Sequence, residues 1–450
     1  MCNPRLAGTL LAIVALTAAT VRGAEPTVIR ITDKTPVNDA HGATTWFRLN
    51  DDRKQMMLDG GRYTILSGPS RGTTGRIKGI STRSAEHKGK IEEFMYFEHD
   101  REVTPDEPNI GLLIECDRRG DGQMHTLDGY WCSEHNRPNV LFHAAGQAAN
   151  SWLNGGVMSR VPNADLFGVA PYIIQGISKD DMTVLDSDAK LFRWACAWTI
   201  FRSMDEEGAM HQNFELAQKH HLELSIYEVN HHITHGDGPL EPRNKIVTSI
   251  GGGLNVCGNM LLMLKEHHLR TQALFSLVQH SYNAHGIGPV RLWGTALNMR
   301  QGNERYRPTF LACALANRVM GGRLVETVHS HGEPMFTGRG KFRYRGEMED
   351  YGPLPVLWSY AFRDGDRRGL VVLNIDVAEA HPVAVAFDGK VNGGTAKRWR
   401  LVSDSVTANN EFEQPEPQVR LVEDAVEDFA PSHRFTLPTH SAMALEWQVE

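Results

Sequence analysis

A chain of 450 residues with a formal net charge of −7 is long enough to bury two or three cores of ordinary size. Acids and bases are interspersed, and no basic stripe follows the chain, which argues against a nucleic-acid partner. The six cysteines show no CxxC spacing, so zinc ribbons and disulfide scaffolds are both poor readings.

The chain opens "MCNPRLAGTLLAIVALTAATVRGAEP": Arg5, an apolar run from Leu6 to Val21, then small residues near Gly23 and Ala24. This reads as a secretory signal over residues 1–24, too short for a comfortable membrane span. No later segment approaches the roughly 18 uninterrupted apolar residues of a spanning helix. The expectation is an exported protein, secreted or periplasmic, without a membrane partner. Cys2 leaves with the signal; Cys116 and Cys132 are the candidate pair, and Cys196, Cys257 and Cys313 lie in apolar helical contexts that predict simple burial.

Residues 25–137 carry short alternating runs, "GRYTILSG", "TGRIKGI", "EEFMYFEH" and "NIGLLIEC", separated by turn residues, and predict a β-rich module. The texture changes at Pro138. Asn139–Gly146, Ala164–Ile174, Leu222–Glu228 and Gln272–Ser281 are continuous apolar runs, the pattern of strands buried on both faces. Between and after them, Ala189–Met204, Glu206–His220, Leu254–His268 and Arg307–Met320 have helical patterning, the last opened by Pro308 and stopped by Gly321-Gly322. This alternation over 138–322 predicts a partial (β/α) barrel. From 323 to 450 the helices cease, and "GLVVLNI", "HPVAVAF", "AKRWRLVS", "HRFTLP" and "SAMALEWQV" predict a closing β-sandwich. The fold class expected is α/β plus all-β, a TIM-barrel-like region flanked by two β regions.

The densest chemistry is "LELSIYEVNHHITHGDG", Leu222–Gly238. His231 and His235 are four apart, as in metalloprotease helices, but a strand-like run precedes them and Gly236-Asp237-Gly238-Pro239 follows, leaving no room for a helix; there is no HExxH. No metal or other cofactor is therefore expected, and a histidine-bound metal stays a third reading that stoichiometric zinc would support. Glu228 closes the third apolar run. In a parallel barrel the C-terminal strand ends line the active site, so Glu228 is a candidate catalytic carboxylate; the plainer alternative is a solvated acid at a strand tip.

The succession "LFHAAGQAANSW", "ADLFGVAPYI", "LSIYEVNHH", "RPTFLACALANRVMGGRLVET" and "FTLPTHSAMALEW" resembles the second half of a clan A glycoside hydrolase of the α-L-arabinofuranosidase and β-xylosidase type. The resemblance covers Asn139 to Glu450, with "IYEVN" and the "LPxHS" ending its most specific parts. It implies a retaining enzyme with two glutamates about 5 Å apart, acting on polysaccharide or oligosaccharide. By position Glu228 matches the nucleophile, and Tyr172 the tyrosine that hydrogen-bonds it. Gln147, Asn150 and Trp152, past the first of the four strands, and His280, His285 and Trp293, past the last, would lie on the same rim as substrate-binding residues. His231, His232 and His235 become residues of a rim loop.

The sequence also departs from that family. A full barrel takes eight strands and about 250 residues, whereas four βα units are visible, matching strands five to eight. No "GNE" or "NEP" motif presents the proton donor. Glu115, ending "GLLIEC", is the sole upstream acid closing a convincing apolar run, but it falls in the β-rich module and is not assigned the role. The abrupt change at "CSEHNRPNVLF" suggests a missing interior segment. A non-catalytic carbohydrate-binding or surface protein is accordingly the second reading.

Overall fold

The computed structural model describes residues 25–32, 34, 47–51, 54–59, 62–65, 110–115 and 140–450, the last range without 163, 270, 278–279, 285–287, 299–302, 331 and 343–345. The expected signal over 1–24, Cys116, Cys132 and His285 lie outside the described residues.

In chain order the elements that position the site are strands β1 (Thr27–Ile31), β2 (Phe47–Asp51), β3 (Lys54–Asp59), β4 (Arg62–Ile65), β5 (Ile110–Glu115) and β6 (Val140–Ala145); helix α1 (Ser151–Met158); β7 (Leu166–Val169); α2 (Asp188–Met204) and α3 (Ala209–Lys219); β8 (Glu223–Val229); α4 (Leu240–Thr248) and α5 (Ile250–His267); β9 (Gln272–Phe275); and α6 (Pro308–Asn317). One eight-stranded sheet runs β4-β3-β2-β9-β8-β7-β6-β5. The six strands from β5 through β9 to β2 are parallel, while β3 and β4 turn back antiparallel. The four apolar runs of the sequence are thus β6 to β9, and the parallel stretch is longer than they foretold.

It is longer because strands of residues 25–137 join it from both sides: β5 pairs with β6, with Glu115 opposite Ala145, and β2 pairs with β9. β4 and β5 stand at the two ends, and among the described residues they do not pair. The apolar runs are continuous because both faces of these strands are covered; all four residues of β7 are buried.

The helices begin where their caps predict. Asn150, Ser187 and Ser249 each accept a backbone N–H of the first turn of α1, α2 and α5, and Pro308 opens α6. α5 is apolar all round because it is enclosed: only Lys265 and Glu266 in it are not buried. Its small residues permit that enclosure, since a Cβ on Gly258 would lie 2.3 Å from the Trp358 ring. α5 begins at Ile250, earlier than the expected Leu254, because the run Gly251-Gly252-Gly253 is packed rather than turned. α1 and α4 have no counterpart among the expected helices.

The C-terminal region is sheet-rich. A six-stranded sheet holds Arg323–Val325, Leu357–Asp364, Arg367–Asn374, Ser441–Gln448, Ala396–Val402 and Arg420–Val426 in that spatial order. A four-stranded sheet holds Thr327–His329, β1, His381–Ala386 and His433–Leu437. β1 lies parallel to His381–Ala386, with Thr27 opposite Val383. Phe387, Phe429 and Trp447 pack together in this region, Phe387 and Trp447 with ring centroids 4.9 Å apart. The region reaches the helices through a buried ion pair: Arg307 Nε sits 2.6 Å from Glu411 Oε1.

Candidate active site

Glu228 lies next to last in β8, at the C-terminal edge of the parallel strands. Strict alternation would place it on the face of Leu224 and Ile226, opposite Ser225 and Tyr227. The pairing with β9 breaks that alternation: Ile226 faces Gln272 and Val229 faces Leu274, so β8 carries one extra residue there. Such bulges re-aim side chains at strand ends. Here the partly buried Glu228 receives, on Oε2, a hydrogen bond from Tyr172 Oη at 2.8 Å. The pair proposed from the sequence is therefore brought together.

Three rings surround Tyr172. His232 meets it edge-on at 5.4 Å, Phe275 edge-on at 6.4 Å and Trp293 tilted at 5.8 Å between centroids. His232 also stacks on the exposed His235 at 5.3 Å. Burial, then the neighbouring His235, hold the His232 imidazole below its usual pKa, so this rim presents a neutral ring near neutral pH. His231 turns the other way. It is fully buried, its Nε2 lies 2.9 Å from Asn255 Oδ1 on α5, and burial pushes its pKa down to about 4. His231 and His235 consequently do not share one face, which removes the geometric premise of a two-histidine metal site.

The other rim residues separate. Gln147 is exposed just past β6, and Trp152 is 68% exposed in the first turn of α1. Asn150 uses its side-chain oxygen to cap α1, accepting from Leu153 N at 3.1 Å. His280 starts a hairpin strand opposite Leu292, and Trp293 follows that hairpin. His285 falls outside the described residues.

No family model matches the sequence, and no curated protein does. Solved structures do. The chain superposes on a thermostable family 51 α-L-arabinofuranosidase from Thermotoga petrophila with a TM-score of 0.51 at 16% identity, over 70% of this chain and 59% of that one. A family 51 α-L-arabinofuranosidase from Bifidobacterium longum gives a TM-score of 0.51 at 15% identity, over 71% of this chain and 61% of that one. The fold is that of these glycoside hydrolases. The chain spans about three fifths of their length.

Within this arabinofuranosidase-like fold, several residues that sequence reasoning passed over hold the site in place. The tips of the segments after β7 and β8 run side by side: Ile173 N donates to Asn230 O, His232 N to Ile173 O and Ile233 N to Ile174 O, at 2.8–2.9 Å. Arg243 on α4, with no exposed surface, closes the pair of segments. Its guanidinium donates to the carbonyls of Gly238, Ile233, His235, Ile177 and Gly236 at 2.7–3.1 Å. Asn230 Nδ2 donates to Phe275 O at 2.6 Å, tying β8 to the tip of β9. Under the site, His143 of β6 contacts Ser225 of β8 across β7. This contact needs Gly168, whose added Cβ would lie 2.3 Å from His143 Nε2. Tyr227 Oη donates to Gly146 O, and the buried Asn154 and Asn213 brace the loop after β6. Finally, Arg307 donates both to Glu411 and to the carbonyl of Trp293, so the sheet-rich region helps place the rim tryptophan. A hydroxyl, amide or guanidinium aimed at a distant carbonyl leaves no local pattern, which is why these residues were not singled out.

Proposed function

We propose that the chain is an exported glycoside hydrolase-like protein that acts on arabinose- or xylose-containing polysaccharide by the retaining route, with Glu228 as nucleophile. The observation that carries this reading is the Tyr172–Glu228 hydrogen bond at the C-terminal edge of a parallel sheet, in a fold shared with arabinofuranosidases. A retaining nucleophile must be oriented toward the anomeric carbon; a phenol donating to one carboxylate oxygen holds it in one orientation. Gln147, Trp152, His232 and Trp293 supply the aromatic faces and hydrogen-bonding groups that a sugar requires. The signal-like opening supports export. Among the described residues no helix is long and apolar enough to cross a membrane.

The strand order offers one candidate for the acid/base. Glu115 is the last residue of β5, which runs parallel to β8 with β6 and β7 between them. Three strand spacings of about 4.8 Å separate their backbones by about 14 Å. We infer from this backbone placement that Glu115 is the candidate proton donor to test; without one the retaining route fails, and the missing-segment reading stands.

Aryl arabinofuranosides and xylosides test both roles. Glu228→Gln should abolish hydrolysis of every leaving group. Glu115→Gln should spare substrates with good leaving groups, which need little protonation, and lose those with poor ones. Equal loss on both classes in Glu115→Gln would remove that residue from the role. No hydrolysis by the wild type, with polysaccharide binding retained, would establish the non-catalytic reading.

A further inference from the structure

Next to the Glu228 site lies a cavity of about 690 Å³ that the chemistry above does not use. It opens between the C-terminal half of α2, the segment Ile174–Ser178 after β7, and Lys341–Phe342 of the sheet-rich region. His235 lines it and is the link to the catalytic rim, since His235 stacks on His232 and His232 packs on Tyr172.

Two independent features of its wall point to a ligand. The first is aromatic: Trp198 and Phe201 face it only partly buried, and Arg202 lies over the Trp198 ring at 5.9 Å. The second is polar. Asp181 is only 7% exposed; its Oδ2 accepts from Ser178 N and Ser178 Oγ, both at 2.7 Å, while its buried Oδ1 has no hydrogen-bond partner. Arg202 Nε is likewise buried without one. A buried carboxylate oxygen and a buried guanidinium N–H without partners are costly, and the hydroxyls of a ligand can donate to the first and accept from the second. A sugar hydroxyl does both.

Charge narrows the choice. Asp181, Asp205 and Glu207 in the wall outnumber Arg202 and Lys341, which disfavours an acidic sugar. The volume falls in the range of small-molecule sites, about 300–1,000 Å³. We propose that this cavity is a second carbohydrate site, holding neutral glycosyl units of the polymer away from the reactive position, with Trp198 as stacking platform and Asp181 and Arg202 as the hydrogen-bonding pair. The choice of polymer rests on the glycosidase reading above.

The test is calorimetric titration of arabinoxylan oligosaccharides into the full chain, its Glu228→Gln variant, and the variants Trp198→Ala, Asp181→Asn and Arg202→Gln, each checked for fold by circular dichroism. Glu228→Gln should retain binding at the cavity, whatever it loses at the reactive position. The cavity variants should bind at least about ten-fold more weakly, the loss of a hydrogen bond to a charged group or of a stacking face. Unchanged binding in the cavity variants, binding abolished by Glu228→Gln alone, or no binding by the wild type overturns the proposal. Because titration reads binding, a wild type that binds but does not hydrolyse would defeat the glycosidase reading and leave this one standing.

Discussion

Arg243→Met is the most informative perturbation of the loop that carries the rim histidines. The guanidinium spends all five donors on carbonyl oxygens, and the Asp237 carboxylate acts on it through its charge. Two of those acceptors keep a bond when it goes: Ile177 O also accepts from Gly238 N, and His235 O from Ile177 N. Gly236 is exposed, so water replaces the donor to its carbonyl. The carbonyls of Ile233 and Gly238, both buried, each lose a charged donor. At about 1–3 kcal/mol per unsatisfied buried group, the variant should lose about 2–6 kcal/mol in urea unfolding, with the slope against urea unchanged. Arg243→Lys, with three donors in place of a planar five-donor fork, should fall between. A loss below about 1 kcal/mol in Arg243→Met would refute the reasoning, because the backbone bonds between the two segments would then suffice.

Three further outcomes are expected. Tyr172→Phe removes one hydrogen bond to a carboxylate, worth about 1.5–3 kcal/mol, and should lower kcat/KM on aryl arabinofuranosides about ten- to hundred-fold; an unchanged value would remove Tyr172 from the site. His231 and His267 both have pKa values pushed down to about 4 by burial, below the unfolded value of about 6.5. The unfolded chain therefore binds more protons between those values, so stability should be full above about pH 6.5 and decline toward pH 4, by roughly 3 kcal/mol per histidine; urea midpoints that stay level across this window would contradict it. Glu411→Gln breaks the buried pair with Arg307 and should cost about 3–5 kcal/mol, together with a change in Trp293 emission, read by fluorescence-detected unfolding.

The four central strands were legible because burial on both faces leaves an uninterrupted apolar run, and Glu228 was legible as the acid that ends one. Tyr172 was found through the family likeness, and its hydroxyl lies 2.8 Å from Glu228 Oε2. The rest needed coordinates. The bulge at the end of β8 depends on β9, and no pattern within "LSIYEVN" announces it. The helical patterning read from Leu254 misses the first turn, because Gly251, Gly252 and Gly253 show their packing within α5 only in the coordinates. β2 and β5 sit in a region whose alternating texture suggests a separate module, since a strand that joins a neighbouring sheet and one in an independent β module carry the same local signature.

The pairing of β1 with His381–Ala386 also has a temporal side. A chain emerges from the ribosome N-terminus first, so this strand must wait for a partner made near the end of synthesis. Its closure links distant parts of the sequence and belongs to the late, long-range contacts that slow folding. The last seam of this sheet thus cannot form until most of the described chain has been translated.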